Sequence, residues 1–172
     1  MGISNGAELL RAAYAKQPFL LAPMAGVTDA AYRIMCRRRV GDKLSLIDIN
    51  MACPARKVIT KGEGSALMET PDLAADIVRA AVERAQVPVT VKMRIAFRPG
   101  ERTAPELARM LEDAGAGAVA VHGRTAKQLY TGTADWSIID EVADAVTIPV
   151  VGSGDVFSAE DAVRMLTTTK AE

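Results

Sequence analysis

The alternation of short apolar runs with helical segments constrains the fold of this chain more than any other feature. Five apolar runs begin near positions 19, 45, 89, 118 and 148, and helix-forming sequence follows each of them. Strands that read as continuous apolar runs are buried on both faces, which is typical of parallel sheets with helical crossovers. The pattern therefore predicts an α/β fold with about five parallel strand–helix units.

Capping residues, prolines and glycines predict where the helices begin and end. A helix over residues 70–86 is expected because Pro71 suits a first helical turn. A second helix is expected over residues 103–114, and Gly115 ends it. Ser158 is a typical N-cap residue for a final helix that reaches about position 168. These signals place one helix after each predicted strand.

A cysteine follows the second predicted strand. The apolar strand is expected to stop at Ile49, because Pro54 cannot continue a central strand. Cys53 then lies in a loop that extends over residues 53–68. Loops at the carboxyl ends of strands build the sites of α/β proteins, so Cys53 occupies a position suited to a catalytic group. A small buried thiol that fills the core is the alternative.

Polar side chains also follow the other predicted strands. Parallel strands present their carboxyl ends on one rim of the sheet, so these side chains are expected to form one site. The candidates are Met24, Asn50, Cys53, Lys92, Arg94, His122, Arg124 and Asp155.

Composition excludes several classes of protein. A length of 172 residues suits a single domain, and a net charge of zero gives no sign of a nucleic-acid partner. Two cysteines are too few for a disulfide framework, and a single histidine predicts no metal site. No signal-peptide pattern and no apolar run of membrane-spanning length is present. We therefore expect a cytoplasmic protein without a metal and without a membrane partner.

Five motifs occur in the same order as in the tRNA-dihydrouridine synthases, and the chain resembles that family. The resemblance implies an FMN-binding (β/α)8 barrel followed by a small helical domain that helps to hold tRNA. It also implies that NADPH reduces FMN and that the reduced flavin reduces the C5–C6 double bond of a uridine in tRNA. The motifs are PMAGVTD (23–29), NMACP (50–54), VKMR (91–94), VHGRT (121–125) and GSGDVF (152–157).

The resemblance implies a role for each motif residue. Cys53 would donate a proton to uracil C5 while flavin N5 delivers hydride to C6. The residues expected to bind FMN are Pro23, Met24, Ala25, Lys92, His122, Ser153, Gly154 and Asp155. Those expected to contact the substrate are Asn50, Arg94 and Arg124. Alternatives from the residue types alone are a structural role for His122 and a solvated strand end for Lys92 and Arg94.

The chain departs from the family pattern in length. The family pattern has two further strand–helix units between the first helix and residue 44, which this chain lacks, and the chain stops before the eighth strand and the helical domain of that pattern. Residues 1–172 are thus predicted to form a single, incomplete TIM-barrel-like domain. Exposed sheet edges are expected to promote self-association, and flavin binding is expected to be weak. The alternatives are a catalytically inactive remnant and another FMN-barrel oxidoreductase, such as a dihydroorotate dehydrogenase relative.

Overall fold

A four-stranded parallel sheet forms the centre of the part of the chain that the computed structural model describes, residues 46–172. Its strands are β1 (Ile47–Met51), β2 (Val89–Arg94), β3 (Ala118–His122) and β4 (Val150–Ser153). Four of the five predicted strands are confirmed. The strand expected near position 19 and the helix expected after it lie outside the described residues.

Helices connect the strands, as parallel pairing requires. Ser158 and Asp161 form the predicted cap of the last helix: the Ser158 hydroxyl accepts from the Asp161 N–H, and the Asp161 carboxylate accepts from the Ser158 N–H. The elements are α1 (Arg56–Ile59), a 3₁₀ helix (Gly64–Glu69), α2 (Pro71–Val82), α3 (Ala104–Asp113), α4 (Ser137–Ala145) and α5 (Ala159–Thr168).

The order of the strands distinguishes a barrel from a doubly wound sheet. The four strands lie side by side in chain order, β1-β2-β3-β4, and every pair is parallel. A doubly wound sheet reverses its direction of winding at a switch point, whereas a (β/α) barrel adds each strand to the same side. Among residues 46–172 the sheet shows no reversal, so the predicted incomplete TIM-barrel-like fold is confirmed.

The two faces of the sheet differ in character. On one face, alternate apolar residues pack against the helices in a single core. Representative members of this core are Met51, Val91, Met93, Val119, Val121, Leu107, Leu111, Ile138, Ile139 and Val142. The opposite face carries the polar positions of the register, where Asn50 pairs with Lys92 and Arg94 pairs with His122. The helices therefore cover the apolar face, and the polar face is left for the site.

The two outer strands each have one neighbour within the described range. Over residues 46–172, β1 pairs with β2 and β4 pairs with β3, so the second edge of each has no described partner strand. Unpaired edges present a row of N–H and C=O groups that other strands can join. Self-association through these edges stays a prediction.

Two local predictions near Cys53 were wrong in detail. The strand continues to Met51 rather than stopping at Ile49, because pairing with β2 extends it by two residues. The predicted loop contains the short helix α1 and a 3₁₀ helix. A turn at Gly64 (φ +61°) brings this segment against Cys53, since a Cβ there would lie 2.7 Å from the Cys53 carbonyl oxygen. Local sequence patterns do not contain these nonlocal contacts.

Candidate functional site

The predicted site residues lie at the carboxyl ends of adjacent strands. Asn50 is near the end of β1, Lys92 and Arg94 are at the end of β2, His122 ends β3 and Ser153 ends β4. Parallel pairing aligns these ends along one rim, so the predicted convergence is present for every described strand. The remaining predicted cofactor residues at 23–25 lie outside the described range.

Lys92, Ser153 and His122 form a hydrogen-bonded cluster on this rim. The Lys92 ammonium donates from Nζ to Ser153 Oγ at 3.0 Å, and the same oxygen lies 3.2 Å from His122 Nδ1. These residues come from three adjacent strands. The sheet therefore brings together a cation, a hydroxyl and an imidazole that are 61 residues apart at most in the chain.

The environment of His122 favours a neutral imidazole. Burial lowers the pKa of His122 to about 4. The positive charges of Arg94, Lys92 and Arg124 act in the same direction, and Asp155 opposes them. Within residues 46–172, the buried His122 Nε2 atom has no hydrogen-bond partner. A buried polar atom of this kind is available to a ligand.

Lys92 is also partly removed from water. Burial lowers the pKa of Lys92, and the negative charge of Asp48 opposes this effect. Asp48 accepts a hydrogen bond at 2.7 Å from the Thr90 hydroxyl on the neighbouring strand. Asp48 was not among the predicted site residues. Its signal was a carboxylate inside an apolar strand, on the same alternate positions as Asn50.

The loop that carries Cys53 is held by three hydrogen bonds. The Cys53 carbonyl oxygen accepts from both the backbone N–H and the hydroxyl of Ser65, each at 3.0 Å. Asn50 Oδ1 accepts from the Ala52 N–H at 2.9 Å and closes a turn before the cysteine. Cys53 is a free, half-buried cysteine. Asn50 thus shapes the turn that presents the thiol.

Arg94 connects the Cys53 loop with the segment after β3. Its Nε donates to the Ala52 carbonyl at 2.9 Å, and its Nη1 donates to the carbonyls of Thr125 and Leu129 at 3.0 and 3.2 Å. Only 4% of the residue is exposed, so it is not a solvated strand end. Burial lowers the pKa of Arg94, but an arginine keeps its charge near neutral pH. The guanidinium therefore acts as a buried clamp between two rim segments.

Arg124 and Asp155 form a second link, in which the arginine is buried and the aspartate half-buried. Arg124 Nη2 lies 2.7 Å from Asp155 Oδ1 and also donates to the Gly132 carbonyl at 2.7 Å. Asp155 Oδ2 accepts from the Ala134 N–H at 2.6 Å, and this bond is the main reason that the pKa of Asp155 is lowered. Asp155 adopts a left-handed backbone (φ +56°), which is uncommon for a residue with a side chain.

Gly154 allows the turn after β4 to approach His122 closely. Its φ of +113° favours glycine, and a Cβ there would lie 2.9 Å from the Ala134 Cβ and 3.4 Å from His122 Cε1. Trp136 Nε1 donates to the Gly154 carbonyl at 2.9 Å and holds the turn from the other side. A Cβ at position 154 would be too close to Ala134 and in ordinary contact with the imidazole, so glycine is favoured by both the backbone conformation and the space available.

Two exposed features lie beside this rim. Tyr130, 78% exposed, follows Leu129, whose carbonyl Arg94 binds. Arg98 and Arg102 are ion-paired with neighbouring carboxylates, Arg98 with Glu69 and Glu101, and Arg102 with Asp135 and Glu141.

In the stretch from 46 to 172, no three His, Cys, Asp or Glu side chains are arranged to hold a metal ion. No helix in that stretch has both the length and the apolar character needed to cross a bilayer.

Comparison with known proteins identifies relatives of this chain. The family model described as "Dihydrouridine synthase (Dus)" matches residues 38–172. A "tRNA-dihydrouridine synthase B" from Xanthomonas campestris is 35% identical over 204 residues, which cover 87% of this chain and 61% of that protein. A "Probable tRNA-dihydrouridine synthase" from Rickettsia bellii is 45% identical over 127 residues, 74% of this chain and 39% of that protein. The chain spans less than two thirds of these relatives.

A solved structure, nitroalkane oxidase from Streptomyces ansochromogenes, matches 96% of this chain and 43% of its own, with 21% identity and a TM-score of 0.45.

Internal length differs between this chain and the Xanthomonas relative. Since 87% of a 172-residue chain is fewer than the 204 matched residues, the relative contains residues inside the matched region that have no counterpart here. The matched residues 38–172 are most of the chain, and the chain belongs to the dihydrouridine synthase family.

Proposed function

We propose that this protein is a tRNA-dihydrouridine synthase that reduces the C5–C6 double bond of a uridine in tRNA, with FMN as cofactor and NADPH as reductant. One observation carries the proposal. The chain belongs to the dihydrouridine synthase family, and His122 and Lys92 lie in one cluster on the rim that also carries the Cys53 loop. Within residues 46–172 the buried Nε2 atom of His122 has no hydrogen-bond partner.

The rim residues fit a flavin. The Nε2 atom of His122 offers hydrogen-bonding capacity that the described residues do not use, and Gly154 leaves backbone bare beside the imidazole. Bound FMN, once reduced by NADPH, would supply hydride to the uridine. The residues proposed to hold it are Pro23, Met24, Ala25, Lys92, His122, Ser153, Gly154 and Asp155. Lys92 would place positive charge beside an electron-rich reduced ring.

Cys53 is the proposed proton donor to uracil C5. Its loop follows β1 directly, and two hydrogen bonds from Ser65 fix the carbonyl of the cysteine. A thiol carries a proton that it can transfer in the transition state, as general acids do. Fixing the backbone on both sides of the residue holds the thiol near one position, which lowers the cost of orienting it for transfer.

Asn50, Arg94 and Arg124 are proposed to serve the substrate side through the segments that they hold. Asn50 closes the turn before Cys53, and the two arginines bind carbonyl oxygens of rim loops. Tyr130 is exposed on one of these loops, where an aromatic ring can stack on an unpaired base. A uridine flipped out of the tRNA stack would then bind at a rim whose loops are held in place by the hydrogen bonds of Asn50, Arg94 and Arg124.

Residues 1–172 are proposed to form one partial barrel domain of a cytoplasmic protein that binds tRNA. The competing proposal is a catalytically inactive shortened form, which the missing residues inside the matched region favour. Loss of barrel strands would remove flavin contacts and leave edges through which copies associate. The two proposals make opposite predictions about turnover.

The experiment that separates them uses the full chain with FMN, NADPH and unmodified tRNA transcript. Nucleoside mass spectrometry after digestion reports dihydrouridine directly. The synthase proposal predicts dihydrouridine that requires NADPH, and the inactive form predicts neither product nor stoichiometric FMN. NADPH oxidation without dihydrouridine, or turnover of dihydroorotate in its place, would point to a different flavin-barrel oxidoreductase.

A further inference from the structure

Ser153 occupies a central position in the rim cluster. Its Oγ lies 3.0 Å from Lys92 Nζ and 3.2 Å from His122 Nδ1, and it is the side-chain atom common to both contacts. A serine hydroxyl has one hydrogen to donate and two lone pairs to accept with. The directions of the two hydrogen bonds can therefore be assigned by counting donors and acceptors.

An ammonium group can only donate, so Ser153 Oγ accepts from Lys92. The hydroxyl hydrogen of Ser153 is then available for His122 Nδ1, the other polar atom in contact with it. We infer that Ser153 is a positioning residue: it donates to Nδ1 of His122 and thereby fixes the neutral imidazole in the tautomer that carries its proton on Nε2.

The opposite tautomer leaves more polar groups unsatisfied. With the proton on Nδ1, both Lys92 and His122 would donate to Ser153 Oγ. The serine hydrogen would then have no acceptor among the side-chain contacts of Ser153 in residues 46–172. A hydrogen-bonding group left without a partner in a partly buried site is unfavourable. Within residues 46–172 Nε2 has no partner in either tautomer, so the Nε2–H form leaves one group unsatisfied and the Nδ1–H form leaves two.

The surrounding charges support a neutral ring. Lys92 and Arg94 face His122 from β2, and Arg124 faces it from the segment after β3. Asp155, after β4, is the acidic group of the set, and Arg124 pairs with it. Three cations and one carboxylate, itself paired with Arg124, surround the ring, and this balance of charge disfavours an imidazolium. The neutral ring then carries a single N–H, on either Nδ1 or Nε2.

The tautomer decides which ligand atom the site accepts. An Nε2–H group donates, so the buried position beside it suits a ligand atom with a lone pair, such as a carbonyl oxygen or an unprotonated ring nitrogen. This consequence rests on the proposed flavin site, where such an atom of the isoalloxazine ring would be the acceptor. The tautomer itself is a property of the chain and does not depend on flavin chemistry.

The test exploits the fact that the chain contains one histidine. In the full chain labelled with ¹⁵N-histidine, two-bond ¹H–¹⁵N correlation spectra at neutral pH report which ring nitrogen carries the proton. We expect Nε2 to be protonated, with the Nδ1 resonance displaced by an accepted hydrogen bond. Protonation on Nδ1 in the wild-type chain overturns the inference without any variant.

Substitutions at position 153 test whether the serine sets the tautomer. Ser153→Ala should move the Nδ1 resonance towards that of an acceptor without a hydrogen bond and let the Nδ1–H form become populated. Ser153→Asn should restore the wild-type pattern, because its amide oxygen can accept from Lys92 while its NH₂ donates to Nδ1. Ser158→Ala, which removes a hydroxyl from the α5 cap, should leave the histidine resonances unchanged.

Unchanged histidine resonances in a folded Ser153→Ala chain contradict the role of Ser153. Should that variant fail to fold, Ser153→Asn together with the wild-type spectrum decides the matter, since a changed tautomer in the asparagine variant also contradicts it. Both readouts are made without FMN or tRNA. Absence of dihydrouridine synthesis would therefore refute the proposed function and leave the tautomer assignment standing.

Discussion

Arg94 Nε donates to the carbonyl oxygen of Ala52 at 2.9 Å, across 42 residues of sequence. The buried guanidinium of β2 thus holds the residue that immediately precedes Cys53. The same side chain binds the carbonyl of Leu129 on the loop of Tyr130. The position of the proposed proton donor and that of an exposed aromatic ring are therefore coupled through one cation.

Replacing Arg94 with lysine should destabilise the chain by about 1–3 kcal/mol, because an ammonium cannot donate in the fork that reaches all three carbonyls. The measurement is urea unfolding. Arg79→Lys is the matched control, since Arg79 forms an exposed pair with Asp76 and should change stability by less than about 0.5 kcal/mol.

Loss of the Arg94 hydrogen bond to Ala52 should also change the reactivity of the Cys53 thiol. In a Cys36→Ala background, Arg94→Lys should increase the rate at which a thiol reagent modifies Cys53, because the Ala52 carbonyl is no longer held. Equal unfolding midpoints and equal thiol reactivity for the parent and the Arg94 variant would contradict the assigned role.

The turn at Gly154 makes a second prediction about stability. Gly154→Ala introduces a Cβ at 2.9 Å from the Ala134 Cβ in a left-handed backbone, whereas Gly100→Ala (φ +85°) meets no atom within 4 Å. Backbone strain alone costs about 1 kcal/mol, and the contact at position 154 should add to it. Thermal unfolding should rank Gly154→Ala as clearly less stable than Gly100→Ala. The reverse order would show that the turn is looser than described.

The capping box of α5 gives a prediction that is independent of the site. Ser158→Ala removes the hydroxyl that accepts from the Asp161 N–H, so it should cost about 1 kcal/mol. Thr167→Ala in the same helix removes a hydroxyl that bonds back to Val163 and should be neutral or slightly stabilising. Equal losses for the two variants in chemical denaturation would exclude a specific cap.

His122 should make stability depend on pH. Its pKa is lowered to about 4 in the folded chain, against about 6.5 for an unperturbed histidine. Between these values the unfolded state binds more protons, so the contribution of His122 to stability falls as pH decreases from about 6.5 towards 4. Unfolding free energies of the wild type and His122→Gln should therefore converge or cross in this window. A difference between the two chains that does not change with pH would contradict the neutral, buried histidine.

Much of the architecture could be predicted because its determinants are local. Pro71 and Ser158 mark helix starts through their own backbone chemistry, and apolar runs mark the strands. The location of the site at one rim could be predicted from the rule that the carboxyl ends of parallel strands lie on the same edge of the sheet. Alternation along β2 correctly placed Lys92 and Arg94 on one face.

The contacts within the rim could not be predicted, because they depend on register between distant strands. The pairing of Asn50 with Lys92 extends β1 by two residues beyond its expected end. The ion pair between Arg124 and Asp155 joins residues 31 positions apart. Arg124 was expected at the substrate and Asp155 at the cofactor, and neither motif alone indicates that the two side chains form an ion pair.

Formation of dihydrouridine in tRNA by Cys53 variants tests the central claim most directly. The full chain, Cys53→Ala and Cys36→Ala would each be incubated with FMN, NADPH and unmodified tRNA, and the product counted by nucleoside mass spectrometry. Loss of a general acid typically costs about 10²–10⁴-fold in rate. We expect that loss for Cys53→Ala and wild-type activity for Cys36→Ala. Product formed by Cys53→Ala at the wild-type rate would contradict it.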